Sequence, residues 1–458
     1  MLNPSCLSCY RQRKKQRPGQ TAVNLIKFFG SPSGSFGPYT LSGILTVAFI
    51  ALSSVIFAAE LVGDGITDDS DAIQELLDSG KPVIELPCPP QCYLIQKTLK
   101  IHSNQTLRLD PQTTIRLADG AMKHLISNAD YETGNENITI EGGIWDGNNE
   151  TQTCRYHEPG FKPEGIVFSP EEYLGVLMQF KNIRNLTIRD VTLKDPETFA
   201  VQMGNIVGFN ISNIRFDYNL KKRNMDGIHL HGGCRQGSIR NLSGNTNDDM
   251  VALNANDGPL FELSRGEISD VRIDGLWADN GYTAVRILSS DDPVRRIRIS
   301  DVFGSWRYYV VSFTHHHVHP GDRLIEDVLI DGVFSAKQLD PVNTISPELF
   351  MEPVRRSNPL FRIESGMNVR NLTIQNVVRR EWLSDAAPTI SIEPEADIDS
   401  LRLRDITIVN HSASPLTFIW NDGKIGRLEK DSVLLQPLHA TVHEIMGNGT
   451  VEEIVPEK

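Results

Sequence analysis

The sequence predicts an all-β chain wound as a single-domain parallel β-helix, and three observations carry that prediction. One short pattern keeps returning beyond residue 135: an alternating apolar triplet, then Asp, Asn or Gly, then another apolar residue. It occurs at Ile138-Thr139-Ile140, Leu186-Thr187-Ile188, Phe209-Asn210-Ile211, Val271-Arg272-Ile273, Ile297-Arg298-Ile299, Val328-Leu329-Ile330, Leu372-Thr373-Ile374 and Leu401-Arg402-Leu403. The spacing is mostly 23 to 34 residues, which suits a solenoid repeat and is too short for propeller blades of ~40 to 45 residues. No long helical period interrupts the repeats, and wider gaps near 150 and 350 leave room for inserted loops. Strands stacked in parallel from turn to turn would share one continuous apolar core.

In chain order, residues 1–59 come first. They hold six Lys or Arg and no Asp or Glu. A basic stretch around Arg11, Arg13, Lys14, Lys15 and Arg17 precedes the apolar run 41–57, the pattern of a secretory signal, with a signal anchor as the alternative. The expected product is an exported protein, secreted or held at a membrane through 41–57. Residues 60–458 form the β-helix domain, with 60–100 as its N-terminal cap region. That domain carries 39 basic against 58 acidic residues, a net charge of −19. Such a surface argues against nucleic acid or an anionic membrane as partner.

Within the cap, GDGITDDSDAIQELLDSG predicts a short helix. Asp69 or Ser70 would cap it, Ala72, Ile73, Leu76 and Leu77 would be its apolar face, and Gly80 would end it. Strand-like runs follow at PVIELP, YLIQKTLKI and TLRLD. Cys6 and Cys9 make a lone CxxC, Cys88 and Cys92 are close enough to bridge after export, and a Cys154–Cys234 pairing is left open. The recurrent turn Asn and Asp residues suit left-handed backbone and bonding between neighbouring turns, so sequons such as Asn185-Leu186-Thr187 read as by-products of turn chemistry.

One region departs from that plain turn chemistry. Asn224-Met225-Asp226-Gly227 leads into Ile228, His229, Leu230 and His231, and Asn247-Asp248-Asp249 leads into Met250, Val251, Ala252, Leu253 and Asn254. Asp226 and Asp248 are 22 residues apart, which would stack them one coil apart, ~4.8 Å along the solenoid. Three carboxylates that close raise at least one pKa, and a proton-donating acid beside an ionised base is what glycosidic cleavage needs. On the next coils, alternation turns Arg286 outward between Val285 and Ile287, beside Tyr282. His315, His317 and His319 share a face further on, as do His229 and His231. Together these residues describe a polar groove.

At these residues the chain resembles a known group. GDGITDDSDAIQ is similar to the N-terminal signature of the pectate-lyase-like superfamily of right-handed parallel β-helices. NMDG, NDDMVAL and VRIL resemble the NTDG, DD and RIK motifs of the polygalacturonases, glycoside hydrolase family 28. The resemblance implies inverting hydrolysis of a polysaccharide, pectin-like or another acidic glycan. Asp248 would be the general acid, Asp226 and Asp249 would share the base role, and Arg286 would bind substrate. The candidate substrate-binding set is Asn224, His229, His231, Asn254, Tyr282, Arg286, His315 and His317. There is no GHG histidine, for which Gly281-Tyr282-Thr283 or the His315 cluster would substitute. Leu288 stands where the RIK lysine would, Met225 replaces Thr, and Met250 replaces the Cys after the DD pair.

Two other functions compete. A Ca²⁺-dependent lyase on the same fold would use Asp226, Asp248, Asp249 and Asp257 as oxygen ligands and Arg286 as base. A non-catalytic sugar-binding solenoid would use none of them for chemistry. The expectation for the hydrolase is a monomer without cofactor or metal, its groove walled by inserts near 154–172 and 338–356.

Overall fold

The structure is a computed structural model that describes residues 60–155, 168–256, 263–315, 324–337 and 358–456. All of these belong to one compact unit, Ala58–Lys458. The leader, Cys6, Cys9, Asp257, His317, His319 and most of both expected inserts lie outside the described residues.

The alternating triplets become strands because each places two apolar side chains on one face and its middle side chain, polar in all but Val328-Leu329-Ile330, on the other. Among the described residues, 26 strands join a single sheet, and the paired strands run parallel from coil to coil. The chain is a right-handed parallel β-helix, nearly all β.

The register shows why the triplets repeat. Their last members stack in one row with Leu107 and Ile239, in the order Leu107, Ile140, Ile188, Ile211, Ile239, Ile273, Ile299, Ile330, Ile374 and Leu403. Every residue of that row is fully buried. Burying each contributes roughly 1.5–3 kcal/mol against the entropy of ordering the chain. The next coil places Lys430 opposite Leu403, and there the row stops. Eight of the coils were visible as triplets; the one through Ile239 was hidden because Gly237 holds the first apolar position. A Cβ on Gly237 would come within 2.0 Å of the Phe209 ring, so the aromatic side chain of one coil fills the space of the next.

Turns follow the expected chemistry. Asn104, Asn137 and Asn185 all have left-handed φ between 54° and 67°. Asn137 donates Nδ2–H to Asn104 Oδ1 at 2.7 Å, and Asn185 to Asn137 Oδ1 at 2.8 Å. A second ladder runs Asn241 to Asn213 to Asp190. The Asn185 sequon is part of this hydrogen-bonded column.

The cap helix spans Ser70–Asp78 and buries Ala72, Ile73 and Leu77, with Leu76 half-buried. Its capping differs from the expectation, since neither Asp69 nor Ser70 caps it with a side chain. Asp69 instead accepts the amides of Val62, Gly63 and Leu94, and Ser70 Oγ accepts those of Gln96 and Lys97. Both side chains tie the helix to the first coils rather than to its own first turn. The possible cysteine bridges do not form: Cys88, Cys92, Cys154 and Cys234 carry thiols rather than disulfides.

Candidate active site

The two acidic turns do stack, but one residue away from the expected register. Ile228 pairs with Val251 and His229 with Ala252, and Gly227 N–H donates to the Asp249 carbonyl at 2.9 Å. Asp226 is therefore level with Asp249, and Asp248 is level with Met225. A one-residue offset in a strand exchanges the faces of its side chains. Here it separates the carboxyls: Asp226 and Asp249 are buried, while Asp248 stays half-exposed. Gly227 makes the close stacking feasible, because a Cβ there would lie 2.4 Å from the Met250 carbonyl oxygen.

Each carboxyl has its own partners. Asp226 Oδ2 lies 2.7 Å from His229 Nδ1, and the Tyr218 hydroxyl donates to the Asp226 carbonyl. Asp249 Oδ2 lies 2.7 Å from Arg286 Nε, which comes from the following coil. Asp248 Oδ2 accepts the Asn224 amide at 3.2 Å. Burial pushes the Asp248 carboxyl above the usual carboxylate range, against the pull of Arg286, Arg307, the Asp249 amide and Asn224. Repulsion among the three carboxylates, the expected cause, is not the dominant one; desolvation is.

The candidate binding residues divide in two. Asn224, Tyr282 and Arg286 are half-exposed beside Asp248 and line the same rim. His229, His231 and Asn254 are buried behind it. His229 is stacked between Phe199 and His231, with ring centroids 4.0 and 4.7 Å away, and its Nε2 meets the Asn254 amide at 2.8 Å. His231 ends a chain of buried hydrogen bonds running from Tyr131 through Gln179 and Gln202. These groups face outward from the core as alternation predicted, yet packing covers them, so they support the carboxylates instead of lining an open groove.

His315 does not join the site. Register places it beyond Thr314, which is level with Leu288. Six residues of strand separate it from the level of Asp249, ~20 Å along the strand direction. There its Nε2 meets the Ser365 carbonyl and its amide meets Glu364. Of the described residues proposed to substitute for the missing GHG histidine, Tyr282 is at the carboxylates and His315 is not. Leu288 takes an outward position, as the RIK lysine would, but is fully buried. Among the described residues no cluster of three or more His, Cys, Asp or Glu has metal-holding geometry.

Sequence reasoning missed the neighbours that brace this corner. Arg307 is 1% exposed, donates to the Thr246 carbonyl at 2.9 Å and to Asn247 Oδ1, and lies 5.5 Å from the Tyr282 ring centre. Tyr282 stacks on Tyr308 at 4.0 Å. The run Trp306-Arg307-Tyr308-Tyr309, aromatic and basic at a coil corner, was the available signal.

Residues 84–266 match the model of glycosyl hydrolases family 28, a stretch that contains all three carboxylates and ends before Arg286. A polygalacturonase from Erwinia carotovora ssp. carotovora has a similar structure: TM-score 0.51, 15% identity, covering 87% of this chain and 99% of that one. PfbA, a surface adhesin of Streptococcus pneumoniae, is as similar: TM-score 0.51, 15% identity, covering 85% and 91%. These two likenesses describe the fold. The pre-neck appendage protein of Bacillus phage phi29 is 31% identical over 137 residues, which is 29% of this chain and only 14% of the length of the phage protein.

Proposed function

We propose that the protein is an exported glycoside hydrolase that cleaves a polysaccharide with inversion at the anomeric carbon. The observation that carries this is the division of three neighbouring carboxyls between two environments. Asp248 stands half-exposed and is pushed toward its protonated form by burial, while Asp226 and Asp249 are engaged by His229 and Arg286. Carboxyls whose surroundings differ in this way are the means by which one site supplies both acid and base.

In this mechanism Asp248 donates its proton to the glycosidic oxygen as the bond to the leaving sugar breaks. Asp226 and Asp249 orient a water on the opposite face of the ring and take its proton, leaving a product of inverted configuration. Inversion requires ~6.5–9.5 Å between acid and base so that water fits between them. Arg286, half-exposed and already engaged with Asp249, fixes the base and presents its remaining N–H donors to substrate hydroxyls. Tyr282 and Asn224 bound the sugar beside the acid.

The test is release of reducing ends by the domain 60–458 from a panel of neutral and uronate polysaccharides. At least one is hydrolysed, and Asp248→Asn abolishes that hydrolysis without changing the melting temperature. A non-catalytic solenoid predicts no release by either protein. A lyase predicts unsaturated uronates that absorb in the ultraviolet and vanish on chelation.

A further inference from the structure

Arg307 is the least expected group at this site. It is a guanidinium with almost no exposure, and it donates to the turn that carries the acid. Its fork takes the Thr246 carbonyl at 2.9 Å and Asn247 Oδ1 at 3.3 Å. Thr246 Oγ1 in turn donates to the Asp248 carbonyl at 2.7 Å, and Asn247 Nδ2 holds the Lys222 carbonyl at 2.6 Å. Arg307 reaches these groups from one coil beyond Tyr282, with the Tyr282 and Tyr308 rings beside it.

The backbone of Arg307 is itself clamped. The buried Lys337 ammonium, from the next coil, donates to the carbonyls of Arg307 and Tyr308. Orienting a lysine and an arginine this way in a protein interior costs desolvation energy that packing alone would not require. What the arrangement achieves is a turn, 246–248, fixed from behind at three points.

We propose that Arg307 is the positioning residue of Asp248: it fixes the 246–247 backbone so that the Asp248 carboxyl projects into the groove, and supplies a permanent positive charge behind it. The proposal deepens the hydrolase reading and rests on Asp248 as its acid. The charged or titratable groups facing Asp248 are Arg286, Arg307, Tyr282 and the adjoining Asp249. Arg286 serves Asp249 directly, whereas Arg307 forks onto Thr246 and Asn247 and acts on Asp248 across the turn. Burial holds the Arg307 guanidinium down to about 10, so it remains charged at neutral pH.

The experiment pairs a titration with kinetics. In protein carrying ¹³C-labelled Asp, the Asp248 carboxyl signal is assigned by its loss in Asp248→Asn and followed against pH. Arg307→Met raises that titration by about one pH unit. With the hydrolysed polysaccharide it lowers kcat ~10- to 100-fold and leaves KM within about twofold, since the acid is misaimed while the rim is intact. The basic limb of the rate profile moves up with the titration. Arg307→Lys, which keeps a charge but loses the fork, returns the titration toward the wild-type value and recovers only part of kcat.

An Asp248 titration unmoved in Arg307→Met, with activity falling only as melting temperature falls, overturns the proposal. Should Arg307→Met not fold, Asn247→Ala carries the kinetic test: a several-fold loss of kcat at unchanged melting temperature supports it, and unchanged kcat overturns it. The titration needs no substrate. A shifted titration in a protein that hydrolyses nothing on the panel would therefore sink the hydrolase reading and leave the Arg307 placement standing.

Discussion

Two kinds of acidic or amide-bearing corner occur along this solenoid, and they use the same residue types for different ends. At one kind, Asn104, Asn137 and Asn185 are exposed, take left-handed backbone and bond only to their own kind on the neighbouring coil. At the other, Asp226 and Asp249 are buried and Asp248 is half-exposed, and the three are engaged by His229, Arg286 and Asn224. The first kind repeats, because each rung satisfies the next. The second sets three neighbouring carboxyls against three different partners, which come from two coils: Asn224 and His229 from one, Arg286 from another. The difference teaches that turn chemistry alone explains an Asx ladder, while it does not explain a corner where three carboxyls each meet a different kind of partner.

The comparison can be broken in order of expected effect. Asp248→Asn removes a positioned acid, and hydrolysis falls by roughly 10²–10⁴-fold or more with fold and melting temperature unchanged; an active Asp248→Asn protein would return this corner to the ordinary class. Arg286→Met leaves the Asp249 carboxylate, 3% exposed, without its guanidinium. It is expected to cost about 3–5 kcal/mol in denaturant unfolding along with activity. If stability holds while activity falls, the ion pair serves chemistry alone.

The clamp behind the corner responds to pH. Burial, with the nearby Arg379, holds the Lys337 amine down to about 7, while Glu381 opposes the shift. An unfolded chain returns that amine to ~10.4, so between these values the unfolded state binds more protons and stability rises with pH. Below about pH 7 both states are protonated and the full penalty is present. Relative to Lys337→Met, the wild type is therefore expected to gain stability from pH 7 to pH 9.5, measured by urea unfolding; a flat difference would contradict the burial of a chargeable amine. Smallest of all, Asn185→Ala removes one rung of the exposed ladder and costs about 1 kcal/mol with no loss of activity.

Much of the fold was legible because a β-helix writes its core into the sequence at every coil. The triplet row from Ile140 to Leu403 is that core, and only Gly237 concealed a member, since what fills its place is the Phe209 ring of the coil before. The carboxylates were legible as unusual, but not in their order. Counting 22 residues between Asp226 and Asp248 could not settle the register, because turn residues add or remove one position without changing the pattern. Which outward side chains stay exposed was also hidden: His229 and His231 alternate outward as Arg286 does, yet stacking on Phe199 and the bond to Gln202 cover them. Lys337 left no motif, since it bonds backbone carbonyls, to which any sequence is blind, and Arg307 was signalled by nothing beyond the aromatic run around it.

The central claim is that Asp248 and the Asp226–Asp249 pair work from opposite faces of one sugar. Proton NMR of the polysaccharide digest, recorded before mutarotation equilibrates the product, tests this most directly. The account predicts that the first reducing sugars carry the anomeric configuration opposite to that of the cleaved bond. Products of retained configuration would contradict it.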